Sequence, residues 1–322
     1  MEKTRILIAD DLGDDEAMDE LRRGLEGRAV IAYRRDMGRE ELLSEIPSYD
    51  VLVVRSRTEV DKELIDRAKS LKLVVTATHG SDHVDHRYLD RKGIGFRRVA
   101  EQSNAVAELV IGLIVCLARK IPLADKLSKN GAWKKDELIG IEIQGKAIGV
   151  VGFGKIGQLV AEKASALGMR VLIHETNLTR EKEEKAKALG GEFVPLDRLL
   201  KLSDFVTLHL PKTEETSKMI GREQFDMMKD GAFLVNAARG DIVDEEALLE
   251  NLEKGKLGGA ALDVYSVQPP FDKERLRRVV SDGRVVATQH IGGQTREARR
   301  GTIKALRKLL EEFLSSKDPS PP

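Results

Sequence analysis

Apolar runs and charged amphipathic stretches alternate along most of the chain. RILIAD (5–10) precedes a charged stretch, VLVVRS (51–56) precedes ELIDRAKSL, and LKLVVTAT (71–78) follows. The second half repeats the rhythm with AIGVVGFG (147–154), RVLIHE (170–175), DFVTLHL (204–210), AFLVNAA (232–238), GGAALDV (258–264) and RVVATQH (284–290). Continuous Val, Ile and Leu runs bounded by Gly or charge are the pattern of strands buried on both faces. Their alternation with helices implies βαβ units and parallel sheets, and two such series predict two α/β domains. Between the series, SNAVAELVIGLIVCLARKIPLADKL (103–127) is mostly apolar and helical in pattern. A helix apolar all round must be buried, and burial between domains or against a second subunit is expected. NGAW (130–133) then starts a connecting loop, with Trp133 expected as a packing residue. The tail SSKDPSPP is expected to be disordered.

Composition narrows the class. A chain of 322 residues can hold two domains with full cores. Its 54 basic and 54 acidic residues balance, so no whole-chain field favours nucleic acid or an anionic membrane. The longest apolar run, LVIGLIVCLA (109–118), falls short of the roughly 20 residues a bilayer span needs. MEKTRILIADD lacks the order of a signal peptide and reads as a first strand. The single cysteine, Cys116, sits in the apolar run as a small buried hydrophobe and excludes an internal disulfide. Together these point to a reducing cytosol. No residue set is assigned to a metal.

Candidate chemistry begins at GFGKIG, where Gly152, Gly154 and Gly157 follow a strand pattern and open a helix pattern. In that context the first glycine permits a tight turn, the second admits a pyrophosphate to the backbone, and the third lets helix and strand pack. Phe153, Lys155 and Ile156 complete the loop, and the helix N-terminus would face the phosphates. Glu175 ends the next strand, eighteen residues after Gly157, and is expected to accept hydrogen bonds from the adenosine ribose. Its charge would repel a 2′-phosphate, so NAD is expected over NADP.

Longer runs carry a family resemblance. LVVRSRTEV (52–60), THGSDHVD (78–85), LHLPKTEET (208–216), MMKDGAFLVNAARGDIVDEEAL (227–248), GAALDVYSVQPP (259–270) and QHIGGQT (289–295) together resemble the NAD-linked D-2-hydroxyacid dehydrogenases. The resemblance implies an NAD domain inserted into a discontinuous substrate domain, both doubly wound and Rossmann-like or flavodoxin-like. On that basis residues 1–102 with 294–322 bind substrate, and 103–293 bind NAD. It further implies a homodimer and a small 2-oxo or 2-hydroxy acid as substrate. Phosphoglycerate-dehydrogenase-like or glyoxylate/hydroxypyruvate-reductase-like substrates fit best. No room is left for a C-terminal regulatory domain, so serine feedback is not expected.

The resemblance also assigns residues. Arg239 would bind the substrate carboxylate and polarise the carbonyl, because guanidinium offers a forked pair of donors and keeps its charge. His290 would protonate the nascent alkoxide. His209, Pro211, Thr216, Ala237, Asp263 and Gly292 match positions around the cofactor. Backbone N–H groups at His79 and Gly80 would meet the substrate carboxylate. Arg55 and Ser56 would contact its distal part. Arg97 and Arg98 add local positive charge.

One position departs from the pattern. Where relatives carry a Glu that partners the His, this chain has Gln268. Gln can orient the ring but cannot stabilise imidazolium by charge, so His290 is expected to titrate near or below about 6.5, with reduction favoured at acidic pH. A neutral Gln–His pair is also a feature of the superfamily's formate dehydrogenases, whose hydride transfer requires no proton. GSDHVD (80–85) and the Gln268-Pro269 pair resemble that branch, and Asn104 corresponds to its substrate-binding Asn if a short gap is allowed. Against it stand the missing N-terminal extension and Gln289 in place of a Pro before the His. The expected function is therefore a 2-oxoacid reductase. Formate-type chemistry and an NAD-sensing co-repressor-like protein are the alternatives.

Overall fold

The computed structural model describes residues 3–316, so the tail beyond Ser316 lies outside the described residues. The chain divides into two compact units, Met1–Gln102 with Gly293–Pro322, and Ser103–Gly292. Gly293 falls in the first unit, where a Cβ on it would lie 3.0 Å from the Gln102 side chain.

The first unit is built on five parallel strands: β1 (Thr4–Ile8), β2 (Ala29–Tyr33), β3 (Val51–Val54), β4 (Leu73–Thr76) and β5 (Gly95–Arg98), in the order β2-β1-β3-β4-β5. This is the flavodoxin-like order. Side chains alternate between the faces, as strand geometry requires. Ile6, Ile8, Val51 and Val53 pack with Ile303, Leu306 and Leu310 of the C-terminal helix Arg296–Ser315, while Leu7, Leu52 and Val54 pack with Leu42, Ile46 and Leu64 on the opposite face. Each fully buried aliphatic side chain is worth about 1.5–3 kcal/mol.

The second unit holds seven parallel strands: β6 (Ala147–Val151), β7 (Arg170–His174), β8 (Glu192–Phe193), β9 (Phe205–Leu208), β10 (Ala232–Asn236), β11 (Leu257–Leu262) and β12 (Val285–Ala287), in the order β12-β11-β10-β9-β6-β7-β8. Counted from β6, this is the Rossmann order with one strand added. The strand order reverses between β6 and β9, the switch point where such sheets bind ligands beyond their strand ends.

The apolar segment 103–127 departs from the expected single buried helix. It forms two helices, Ser103–Arg119 and Ile121–Lys129, broken at Lys120 with φ 51°. Pro122 is the cause, since a proline inside a helix has no N–H for the carbonyl four residues back and its ring collides with it. That carbonyl, on Ala118, accepts instead from Ile141 N at 2.8 Å. The first helix is buried within its own unit, against the helix Lys155–Ala166 and the core around Ile148 and Phe205. The second has no buried residue. Trp133 is 89 % exposed, contrary to a packing role, because the loop after this exposed helix lifts it off the core. Cys116 is only half-buried.

Candidate active site

In the second unit, the expected cofactor and catalytic residues lie just beyond the carboxyl ends of its strands, except Asn104. Gly152 follows β6 with φ +94°, and a Cβ there would fall 2.6 Å from the His209 carbonyl oxygen. At Gly157 a Cβ would fall 2.1 Å from the Gly152 carbonyl oxygen. Both contacts are with backbone, so these positions require glycine. Before Gly154 the space is open to 4 Å, and among the described residues no side chain caps the helix that Lys155 and Ile156 begin. An open cradle in front of an uncapped helix N-terminus fits a dinucleotide pyrophosphate.

Phe153 contributes backbone only. Its ring is buried and meets Phe193 edge-on at 5.7 Å, while its N–H donates to Glu175 Oε2 at 2.9 Å. Asn177 N donates to Glu175 Oε1 at 2.9 Å. Burial opposes the charge on Glu175, but Lys182 and these two N–H groups outweigh it and hold the carboxyl below its usual range. His209 follows β9, with Nε2 3.0 Å from Thr207 Oγ1, and burial pushes its pKa down to about 3. Thr216 closes the next loop by donating to the Pro211 carbonyl at 2.7 Å.

Three loops converge on the catalytic candidates. At the end of β10, Asn236 bridges the turn, donating to Arg239 O at 2.8 Å and accepting from Ala238 N at 3.1 Å, with Ala237 between. Arg239 donates to Ala238 O at 2.7 Å. A Cβ at Gly240 would fall 1.9 Å from the Tyr265 carbonyl carbon, so this turn rests directly on the loop after β11. Buried Glu245 secures that contact by accepting from Ser266 N at 2.8 Å and Ser266 Oγ at 2.5 Å.

The same loop carries Gln268, whose Oε1 lies 2.9 Å from His290 Nδ1. The Tyr265 carbonyl, 3.4 Å from Gln268 Nε2, orients the amide so that its oxygen faces the ring. Nδ1 then carries the proton of this bond, and Nε2 is the atom that can gain and release one. His290 has φ 55°, a left-handed conformation that a non-glycine residue adopts only when held. Asp263 holds it. This buried carboxylate accepts from Thr288 Oγ1 at 2.6 Å, Ile291 N at 2.8 Å and Gly292 N at 2.9 Å, and its carbonyl accepts from His290 N at 2.8 Å. Tyr265 lies beside it with its hydroxyl 3.0 Å from the Leu262 and Thr288 carbonyls; burial, followed by Asp263, pushes its pKa up to about 12. Asn104 instead lies in the first turn of its helix and donates to Glu108 at 2.7 Å.

The first unit likewise gathers its candidates at the carboxyl ends of its strands. Arg55 follows β3; its N–H donates to buried Asp10 at 2.5 Å and its guanidinium to Asp11 O at 2.9 Å. Burial lowers the Arg55 pKa, as does Arg299, while Asp10 and Asp11 oppose the shift. Ser56, next in the turn, is exposed. At the end of β4, Thr76 Oγ1 lies 2.8 Å from Thr78 Oγ1 and 3.0 Å from His83 Nε2, and Thr78 donates to Gly80 O at 2.7 Å. Arg98 donates to His79 O at 2.9 Å, which gives it a part in shaping this loop.

Sequence reasoning missed Glu245, Asn236 and Lys182. Glu245 reads as an ordinary acid in a helix first turn, and only the fold brings Ser266 to it. Lys182, seven residues beyond Glu175, gives no signal in a charged helix.

Comparison with known proteins shows the family. Residues 111–292 match the family described as D-isomer specific 2-hydroxyacid dehydrogenase, NAD binding domain. A D-3-phosphoglycerate dehydrogenase of Archaeoglobus fulgidus is 42 % identical over 298 residues, covering 92 % of this chain and 54 % of its own length. The chain thus spans about half the length of that relative. A hydroxypyruvate reductase of Thermotoga maritima is 43 % identical over 277 residues, covering 85 % of this chain and 88 % of its own. The solved structure of a D-lactate dehydrogenase from Aquifex aeolicus, complexed with NAD and lactic acid, superposes with a TM-score of 0.85 at 26 % identity, covering 97 % of this chain and 95 % of that one. This chain belongs to the D-isomer specific 2-hydroxyacid dehydrogenase family, and its second unit is the NAD-binding domain. Among the described residues no helix is long and apolar enough to cross a membrane.

Proposed function

We propose that this protein is an NAD-linked 2-oxoacid reductase that forms D-2-hydroxy acids. The observation that carries the reading is the His290–Gln268 bond on a loop that buried Asp263 holds, with the Arg239-Gly240 turn resting on the loop that carries Gln268, in an NAD-binding domain. The Gly152–Gly157 loop and Glu175 would hold the reduced dinucleotide, whose nicotinamide would supply the hydride that C2 receives. Arg239 holds the substrate carboxylate and draws electron density from the carbonyl. His290 Nε2 gives its proton to the oxygen that becomes the hydroxyl, and Gln268 keeps Nδ1 as the donor of the other bond. His79 and Gly80 supply backbone N–H groups to the carboxylate, and Arg55 and Ser56 favour an anionic distal group. Phosphohydroxypyruvate, hydroxypyruvate and glyoxylate are the substrates this predicts.

We assign the protein to the cytoplasm as a homodimer. Ile121, Trp133, Ile139 and Ile141 are 45, 89, 74 and 37 % exposed within one short stretch, and a second copy is the occupant proposed for them. Formate-type hydride transfer is the second reading, favoured by the neutral Gln268–His290 pair.

Mixing the protein with NADH and a panel of 2-oxo acids from glyoxylate to phosphohydroxypyruvate tests the proposal. NADH absorbance should fall with at least one member, fastest at mildly acidic pH. NADH binding without turnover of any member contradicts it, and NADH formation from formate and NAD would establish the second reading.

A further inference from the structure

The acid at the end of β7 does not stand alone. Lys182 Nζ lies 2.9 Å from Glu175 Oε2, and it also donates to the Asn177 carbonyl at 2.8 Å. Both side chains are largely enclosed, at 18 % exposure for the lysine and 12 % for the glutamate. Lys182 sits in the first turn of the helix Arg180–Ala188, which Thr179 caps by accepting from Lys182 N at 3.3 Å.

This geometry alters how the ribose end treats charge. A lone carboxylate there repels a 2′-phosphate and so selects the unphosphorylated dinucleotide. Here the carboxylate is paired, and the pair is formally neutral. Glu175 is also held by the N–H groups of Phe153 and Asn177, so it does not depend on Lys182 for support. An ammonium has three donors, and Glu175 and Asn177 account for two. The third can reach an anion beside the carboxylate, and a charge-assisted bond to phosphate is among the stronger ones available. Two neighbouring acceptors already hold the chain of Lys182 in place, which reduces the ordering cost of such a contact.

We propose that Lys182 is a specificity-determining residue of the dinucleotide site, and that the Lys182–Glu175 pair lets the site bind 2′-phosphorylated as well as unphosphorylated dinucleotide. The proposal rests on the dinucleotide reading of the GFGKIG loop. Unphosphorylated ribose is served by the one lone pair left on Glu175 Oε1. A 2′-phosphate is served by Lys182, which then bridges it and the carboxylate.

Binding measurements test this without turnover. The affinities of NADH and NADPH are read from the fluorescence of the reduced nicotinamide, and those of 5′-ADP and 2′,5′-ADP from calorimetry. In the unaltered protein NADPH should bind within about tenfold of NADH, a difference of about 1.4 kcal/mol. Lys182→Ala should weaken NADPH and 2′,5′-ADP by about tenfold or more while NADH stays within about threefold or tightens. Lys182→Arg should restore NADPH binding. A wider gap in the unaltered protein, or a smaller loss in Lys182→Ala, overturns the inference while NADH binding leaves the dinucleotide site standing. Failure of the unaltered protein to bind NADH overturns both.

Discussion

At the carboxyl end of the seven-stranded sheet, position is fixed mainly by backbone. Gly152 and Gly157 admit no Cβ, Gly240 rests on the Tyr265 peptide, and Asp263 and Glu245 grip main-chain N–H groups. At the carboxyl end of the five-stranded sheet, side chains make most of the links, to one another and to loop carbonyls. Arg55 lies among Asp10, Asp11 and Arg299, while Tyr33 donates to Asp11 at 2.8 Å and Thr76 joins Thr78 to His83. A backbone-built end keeps its geometry whatever ligand arrives. A side-chain-built end changes with each residue exchanged, which suits the unit proposed to distinguish substrates.

Substitutions should separate the two ends. The largest effect is expected at His290→Ala, where loss of the general acid should reduce kcat by about 10²–10⁴ with folding unchanged by thermal denaturation. Full turnover would remove His290 from the chemistry. Asp263→Ala strips the acceptor from Thr288, Ile291 and Gly292 and should cost about 3 kcal/mol of stability in denaturant unfolding, with kcat falling more than KM rises. A loss below about 1 kcal/mol would mean that the loop does not depend on it. At the other end, Arg55→Ala should raise KM for oxo acids with an anionic tail by about tenfold and that for glyoxylate much less. Equal changes would take Arg55 out of the substrate pocket.

Two smaller effects concern protons. Gln268→Glu should move the pH profile of kcat/KM upward by about one unit, since a carboxylate favours imidazolium. An unmoved profile would mean that residue 268 does not tune His290. Burial disfavours the charge on His209 and pushes its pKa down to about 3 in the folded chain, whereas unfolding restores the ordinary value of 6.5. The unfolded state therefore holds the extra proton between these values, and stability should fall as pH drops from about 6.5 towards 3, by at most about 1.4 kcal/mol per unit. His209→Gln should reduce that slope in denaturant titrations at pH 7, 5 and 4.

The contrast between the ends also explains what could be read from the sequence. Central strands such as β3 and β6 are buried on both faces and appear as unbroken apolar runs. β5 and β8 are sheet edges, partly exposed, and β5 ends in two arginines, so they leave no such run. The GFGKIG loop was legible because steric exclusion of a Cβ is written into residue type. The Arg55 cluster was not, since its partners come from separate strands, 44 and 45 residues apart for Asp11 and Asp10. The break at Lys120 was legible in principle from Pro122, but the apolar pattern around it hid the signal.

The most direct test combines hydride origin and stereochemistry. The protein would reduce hydroxypyruvate with NADH deuterated at the transferred position of nicotinamide C4, and the product would be resolved on a chiral column with mass detection. The account predicts the D enantiomer carrying one deuterium at C2. An L product, or hydrogen from solvent at C2, would contradict it.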